Sequence, residues 1–248
     1  MEKINGKDLR LRLKEWSSLL VNDLRYDPQA KRSVFLGIVA GIATWFWTII
    51  LNLYTLDPAK TYTSFINSID SGIEVITLQK LSNPATDYFF TYFYLFAGFI
   101  VIFTLSALII SRRWKDVGRL SLCSILILVP AFIAPLFFPV APPKLVVRNV
   151  ISIKDKILPS SESLIPLGFR YASFPSLHVV GATFSLLCIY SSKMGKSYVY
   201  SWIVILFLTS LSTIFLGEHY LVDVIAGFFV GVAIWMIAGK LQRMVNLR

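Results

Sequence analysis

Polar and apolar positions along this chain separate into long blocks instead of alternating. Six apolar blocks stand out: Val34–Tyr54, Tyr88–Ser111, Leu120–Val140, Phe174–Tyr190, Tyr198–Leu216 and Tyr220–Ala238. None contains a Lys or Arg, and Asp223 is the only acid inside any of them. A helix crosses a bilayer core of about 30 Å with about 20 apolar residues. The pattern therefore predicts an all-α polytopic membrane protein, a six-transmembrane-helix bundle, with the fourth span the shortest. An even number of spans puts both termini on one side. The polar opening predicts no cleavable signal peptide, so the first span acts as its own insertion signal.

Two amphipathic stripes flank the first block. Leu9, Leu13, Trp16, Leu20 and Leu24 recur at helical spacing among Arg10, Arg12 and Lys14. This is either a helix lying on the anionic leaflet or one packed on the bundle. Phe65, Ile69, Ile73 and Ile76 form a second stripe, which reads as an interfacial lid or as a spacer. No internal repeat or low-complexity tract divides the chain. Residues 1–248 form one membrane domain, with an amphipathic N-terminal segment at 1–33 and the chemistry-bearing region at 139–238.

Composition supports the block pattern. Of 248 residues, 56% are hydrophobic and 15% charged, and the mean hydropathy is +0.67. Soluble domains carry about 25% charged residues, so a water-soluble fold, a disordered chain and a coiled coil are excluded. Two cysteines exclude a disulfide scaffold; Cys123 and Cys188 lie within spans and read as small buried hydrophobes without a bridge. The net charge of +10 raises the question of a nucleic-acid partner. Divided by the predicted topology, 17 Lys and Arg fall on the side of the termini and 7 on the other. The positive-inside rule makes the richer side cytoplasmic. The basic excess then orients the protein toward membrane lipids and leaves no surface for nucleic acid.

Candidate chemistry gathers at the opposite, extracytoplasmic face. The two histidines, His178 and His219, fall at the N-terminal ends of the fourth and sixth spans, both of which run inward. Helix N-termini present unpaired N–H groups and partial positive charge. Two of them beside Lys144, Arg148 and Arg170 make an anion site suited to phosphate. Asp223 lies four residues after His219, so the two share a helix face. A carboxylate there accepts from one imidazole nitrogen and leaves the other free to attack.

These residues carry a resemblance. Phe174-Pro175-Ser176-Leu177-His178 resembles the Pro-Ser-x-His motif of the type-2 phosphatidic acid phosphatase/haloperoxidase superfamily. The run from Ser212 to Asp223 resembles its Ser-Arg-x5-His-x3-Asp motif, with Thr213 in place of the arginine. Ser212-Thr213, His219-Tyr220-x-x-Asp223, Leu177 where glycine is usual, and Ala141-Pro142-Pro143 resemble the inositol phosphorylceramide synthase branch. The resemblance covers about residues 139–238. The family's first motif, Lys-x6-Arg-Pro, is not intact: seven residues after Lys144 stands Ile151, and seven after Arg148 stands Asp155. Lys144 follows the Pro-Pro pair where that motif's base is expected, with Arg148 and Arg170 as substitutes.

The resemblance implies a lipid phosphate or diphosphate phosphatase working through phosphohistidine, with no metal or other cofactor. His219 is the implied nucleophile, Asp223 its orienting acid and His178 the general acid, then base. Ser176, Lys144, Arg148 and Arg170 are the implied phosphate ligands. The alternative is a phosphotransferase that moves a phospho-head group between lipids, as in the synthase branch. A flippase or transporter is the non-enzyme alternative, drawing on Pro130 and Pro135 in the third span. Transporters, however, place ionisable groups near the midplane, and here they gather at one face.

Overall fold

The computed structural model describes residues 6–53, 61–159 and 171–246. About 80% of the described residues are helical. Among the described residues the β-structure is a single isolated bridge between Val140 and Ala172. The first two helices are α1 (Gly6–Tyr26) and α2 (Pro28–Leu53). Short α3 (Thr63–Ile69) and α4 (Ile73–Gln79) precede α5 (Pro84–Ala97) and α6 (Ile100–Ile110). Next come α7 (Trp114–Leu126) and α8 (Leu128–Phe137), then two brief helices, α9 (Pro143–Val146) and α10 (Ile153–Ile157). The last three are α11 (Leu177–Ser191), α12 (Lys196–Phe215) and α13 (Leu221–Asn246).

Among the described residues, three helical stretches are individually long and apolar enough to cross a membrane: Trp114–Phe137, Lys196–Phe215 and Leu221–Met244. Only 33%, 28% and 33% of their most apolar stretches are buried, so most of that apolar surface faces outward. Such a surface suits lipid and not water. The second predicted span is not one straight helix. It is the pair α5 and α6, bent by 58° at Gly98–Phe99, which makes a fourth span if the pair is counted as one. The fourth predicted span is α11, apolar but only 15 residues long.

The N-terminal stripe packs on the bundle. Leu20 and Leu24 join the main core around Leu108, Trp114 and Leu120. Trp16 Nε1 donates to the Ile110 carbonyl at 3.1 Å. Asp23 accepts from Arg112 Nε at 2.6 Å and from Trp114 Nε1 at 2.8 Å. Those two donors hold the Asp23 carboxyl below the ordinary range. The second stripe forms two helices, not one. Gly72, at φ +70°, breaks the path between them. Ile66 and Val75 point inward, while Phe65, Ile69 and Ile73 are exposed.

That break has a structural use. Asp70 is buried, and its Oδ1 accepts from Gly72 N–H at 3.0 Å. Its Oδ2 accepts from Val222 N–H at 2.9 Å, in the first turn of α13. An acid from a distant segment thus takes up one of the unpaired donors of that helix. Asp70→Ala is expected to cost about 1–3 kcal/mol by stranding these donors, read as a lower unfolding midpoint in detergent.

Two glycines bring α11 and α13 into close contact. A Cβ at Gly227 would sit 2.7 Å from the Ser176 carbonyl oxygen, and one at Gly231 would sit 2.7 Å from Thr183 Cβ. Small residues four apart let membrane helices approach until their backbones nearly touch. The approach fixes where α11 and α13 begin relative to each other, and each of those starts carries a histidine. Gly231→Leu is expected to force the pair apart and to lower activity at least about tenfold through misplacement, with phosphate release from a lipid phosphate as the readout.

Candidate active site

The site is built where three chain segments meet: the start of α11, the turn from α12 to α13, and the α9–α10 segment. At the end of α12 the Thr213 carbonyl accepts from both Glu218 N–H, at 3.1 Å, and His219 N–H, at 3.2 Å. Gly217 turns the chain there at φ +70°. The same glycine admits the α9 segment: Lys144 N–H donates to the Gly217 carbonyl at 3.0 Å, and a Cβ at Gly217 would lie 3.2 Å from Lys144 Cβ. Across the site, Ser176 N–H donates to the Asp223 carbonyl at 3.1 Å, tying the start of α11 to the first turn of α13.

These ties bring the two histidines together, edge to face. The rings of His178 and His219 lie 6.3 Å apart between centroids, at 66°. One phosphoryl group can reach both. Tyr94, from α5, packs on His178 with centroids 4.3 Å apart and fixes its ring.

The partner of His219 differs from the expected one. His219 Nδ1 lies 2.7 Å from the Ser173 carbonyl oxygen. A carbonyl only accepts, so Nδ1 carries the proton and Nε2 keeps its lone pair. The Asp223 carboxylate is farther away, with Oδ2 at 3.5 Å. It acts from behind. Its Oδ2 accepts from Ser173 Oγ at 2.6 Å and from Tyr220 N–H at 2.9 Å. The carbonyl therefore sets the tautomer, and the buried carboxylate supplies negative charge and holds the turn. A side-chain pattern at i, i+4 identifies Asp223, but a main-chain acceptor 46 residues away leaves no mark in it.

Ser176 stands at the N-cap of α11, fully buried, and its Oγ has no hydrogen-bond partner among the described residues. A free hydroxyl beside unpaired helix N–H groups is a natural contact for a phosphoryl oxygen. Thr213, where the related motif has arginine, is buried, and its Oγ1 donates to the Ser210 carbonyl at 2.9 Å.

The cations are arranged differently from the sequence-based expectation. Lys144 is at the site, with Nζ 3.1 Å from Asp155 Oδ2 and 3.1 Å from Glu218 Oε1. Burial opposes its charge, but Glu218 and Asp155 outweigh burial and hold its pKa above the ordinary lysine value. Arg148 is exposed and joins no ion pair among the described residues. Arg170 lies outside the described residues. The other cation is Lys154 of α10, 4% exposed, with Nζ 2.5 Å from Glu218 Oε1 and 5.4 Å from the Tyr94 ring centroid. Asp155 accepts from Ser152 Oγ as well as from Lys144. Burial works against its charge too, yet these donors keep its pKa below the ordinary value. Lys154, Glu218, Tyr94 and Ser173 were not among the expected site residues. The one sequence signal was an acid directly before His219. No group of three or more His, Cys, Asp or Glu with metal-holding geometry occurs among the described residues.

Comparison with known proteins bears on the fold and on the family. The crystal structure of Aquifex aeolicus LpxE superposes with a TM-score of 0.56 at 23% identity, covering 69% of this chain and 95% of that one. At that identity the likeness speaks for the fold. No curated protein matches the chain. The sequence profile of the PAP2 superfamily matches residues 72–237, which include both histidines, Asp223, Lys144 and Lys154. The segment whose folding brings the two histidines together is thus the segment the profile recognises, and the chain belongs to the PAP2 superfamily.

Proposed function

We propose that the protein is an integral membrane phosphatase of lipid phosphates or diphosphates that works through a phosphohistidine on His219. The carrying observation is the 2.7 Å contact from His219 Nδ1 to the Ser173 carbonyl, which in the neutral ring leaves the lone pair on Nε2, with the His178 ring 6.3 Å away between centroids. In the first half-reaction, Nε2 attacks phosphorus and the bond to the lipid oxygen breaks. That oxygen takes a proton from His178. In the second, water gives a proton to His178 and attacks phosphorus. The nitrogen–phosphorus bond breaks, and inorganic phosphate leaves. Ser176, the start of α11 and Lys144 stabilise the equatorial oxygens, where charge spreads in the transition state. Superfamily membership supports the lipid phosphatase assignment.

The same reading extends to topology. One membrane domain crosses six times, with α5 and α6 as one bent span and α11 as a short one. The 17 to 7 division of Lys and Arg places both termini in the cytoplasm of a cell-membrane protein. The histidines then face the extracytoplasmic side. There a lipid head group reaches them while its tail stays in the bilayer.

The deciding experiment incubates purified protein with a panel of lipid phosphates, with and without inositol-bearing donors. Free phosphate and new lipid products are both followed. Release of phosphate that persists in chelator, with label trapped on His219, is the expected result. New phospholipid without free phosphate would select the transferase reading, which Thr213 and Leu177 favour by resembling the synthase branch. Movement of intact lipid with no label on the protein would select a flippase.

A further inference from the structure

We propose that the Glu218 carboxylate is a resident anion occupying the phosphate seat between Lys144 and Lys154. A substrate phosphate binds by displacing it, which makes Lys154 a phosphate-binding residue. The inference rests on the phosphoryl-transfer reading of the two histidines. It adds a ligand that none of the recognised motifs contains.

The geometry is that of a bridged anion. One oxygen, Glu218 Oε1, lies 3.1 Å from Lys144 Nζ and 2.5 Å from Lys154 Nζ. The side chains of Lys144, Lys154 and Glu218 are 6%, 4% and 11% exposed. Buried ammonium groups need an anion, because desolvation without a counter-charge is costly. Lys144 has Asp155 as a second partner, but among the described residues Lys154 pairs with Glu218 alone. Among the described residues nothing else at the site plays the cationic role: Thr213 is neutral and Arg148 is exposed.

The seat is in the right place. Glu218 directly precedes His219, and its main chain is pinned. Its N–H donates to the Thr213 carbonyl at 3.1 Å, as does the next N–H, that of His219, at 3.2 Å. Only the side chain is free to swing. Lys154 reaches toward the other histidine through Tyr94, whose ring lies 5.4 Å from Lys154 Nζ and 4.3 Å from the His178 ring. The seat therefore adjoins the Tyr94 ring that packs on His178, and its carboxylate comes from the residue next to His219 in the chain. A carboxylate and a phosphate cannot share that seat, since like charges at contact repel strongly in a poorly solvated site.

The test measures binding of inorganic phosphate to full-length protein in detergent, alongside turnover of a lipid phosphate. Glu218→Gln keeps the shape and removes the competing charge. If the carboxylate fills the seat about nine-tenths of the time, Glu218→Gln tightens the Kd for phosphate about tenfold. Lys154→Met is expected to weaken phosphate binding about tenfold or more. The double variant separates displacement from a mere change of field. Displacement requires the gain from Glu218→Gln to vanish in the Lys154→Met background, whereas a field effect persists there. Glu218→Asp, too short to bridge both lysines, is expected to tighten binding in the same direction and serves if the glutamine variant does not fold. Unchanged or weaker phosphate binding in folded Glu218→Gln, or unchanged binding in Lys154→Met, overturns the inference and leaves the phosphatase reading intact. The expected binding changes in a protein that turns over no lipid phosphate overturn the phosphatase reading and leave the resident anion standing.

Discussion

His219→Ala is expected to lower kcat for release of phosphate from a lipid phosphate by at least about 10⁴-fold and to abolish trapping of labelled phosphate on the protein. The size follows from the route. Without a nitrogen to form the bond to phosphorus, the covalent pathway is closed. What remains is whatever the helix N-termini and Lys144 contribute to direct attack by water. The imidazole ring of His219 is buried and donates to the Ser173 carbonyl, so the variant also loses about 1–3 kcal/mol of stability and is compared with wild type below its own unfolding midpoint. Activity within about tenfold of wild type would show that no bond to His219 lies on the pathway. His178→Ala gives the complementary pattern. A poor leaving group such as a lipid alcohol needs its proton, so turnover falls steeply. An aryl phosphate, whose leaving group departs as the anion, recovers much of the loss.

The second large effect is expected at Asp223. Its Oδ2 accepts two hydrogen bonds, while its Oδ1 is buried without a partner. Asparagine can keep both accepted bonds and place its amide where Oδ1 stood. Asp223→Asn is therefore close to a pure removal of charge. The nucleophilic nitrogen becomes positively charged as the bond to phosphorus forms, and a buried negative charge 3.5 Å from the opposite ring nitrogen stabilises that state. Losing it is expected to reduce kcat about 10²–10³-fold with little change in KM. Ser173→Ala provides the contrast. It removes the hydroxyl that links to Asp223 but leaves the carbonyl that accepts from Nδ1, so the loss should not exceed about tenfold. A larger loss in Ser173→Ala than in Asp223→Asn would reverse the roles assigned to carbonyl and carboxylate.

Much of this protein was legible before folding. The apolar blocks locate the helices, because a helix in lipid must be apolar over about 20 residues to satisfy its own backbone without water. His178, His219 and Asp223 were legible because their spacing belongs to single helix ends. Contacts between segments were not. The bend at Gly98–Phe99 leaves the hydropathy unbroken. The α3–α4 stripe, read as a lid or a spacer, gives no sign that it divides at Gly72 or that Asp70 reaches α13.

The sequence by itself determined the all-helical class, the apolar segments and the triad of catalytic candidates, since each depends on periodicity or spacing within one segment. Only the tertiary structure decided which acceptor holds the His219 proton and which cations line the site. Ser173 lies 46 residues from His219, and Glu218 lies 74 from Lys144 and 64 from Lys154 in the chain. Arg148 has the charge expected of a phosphate ligand, but its place in the turn after α9 leaves it exposed, while α10 carries Lys154 into the interior. Charge can be counted along a chain. Whether a charge is buried beside a nucleophile depends on helix ends and close backbone approaches, such as Gly217 under Lys144, that join segments far apart in sequence.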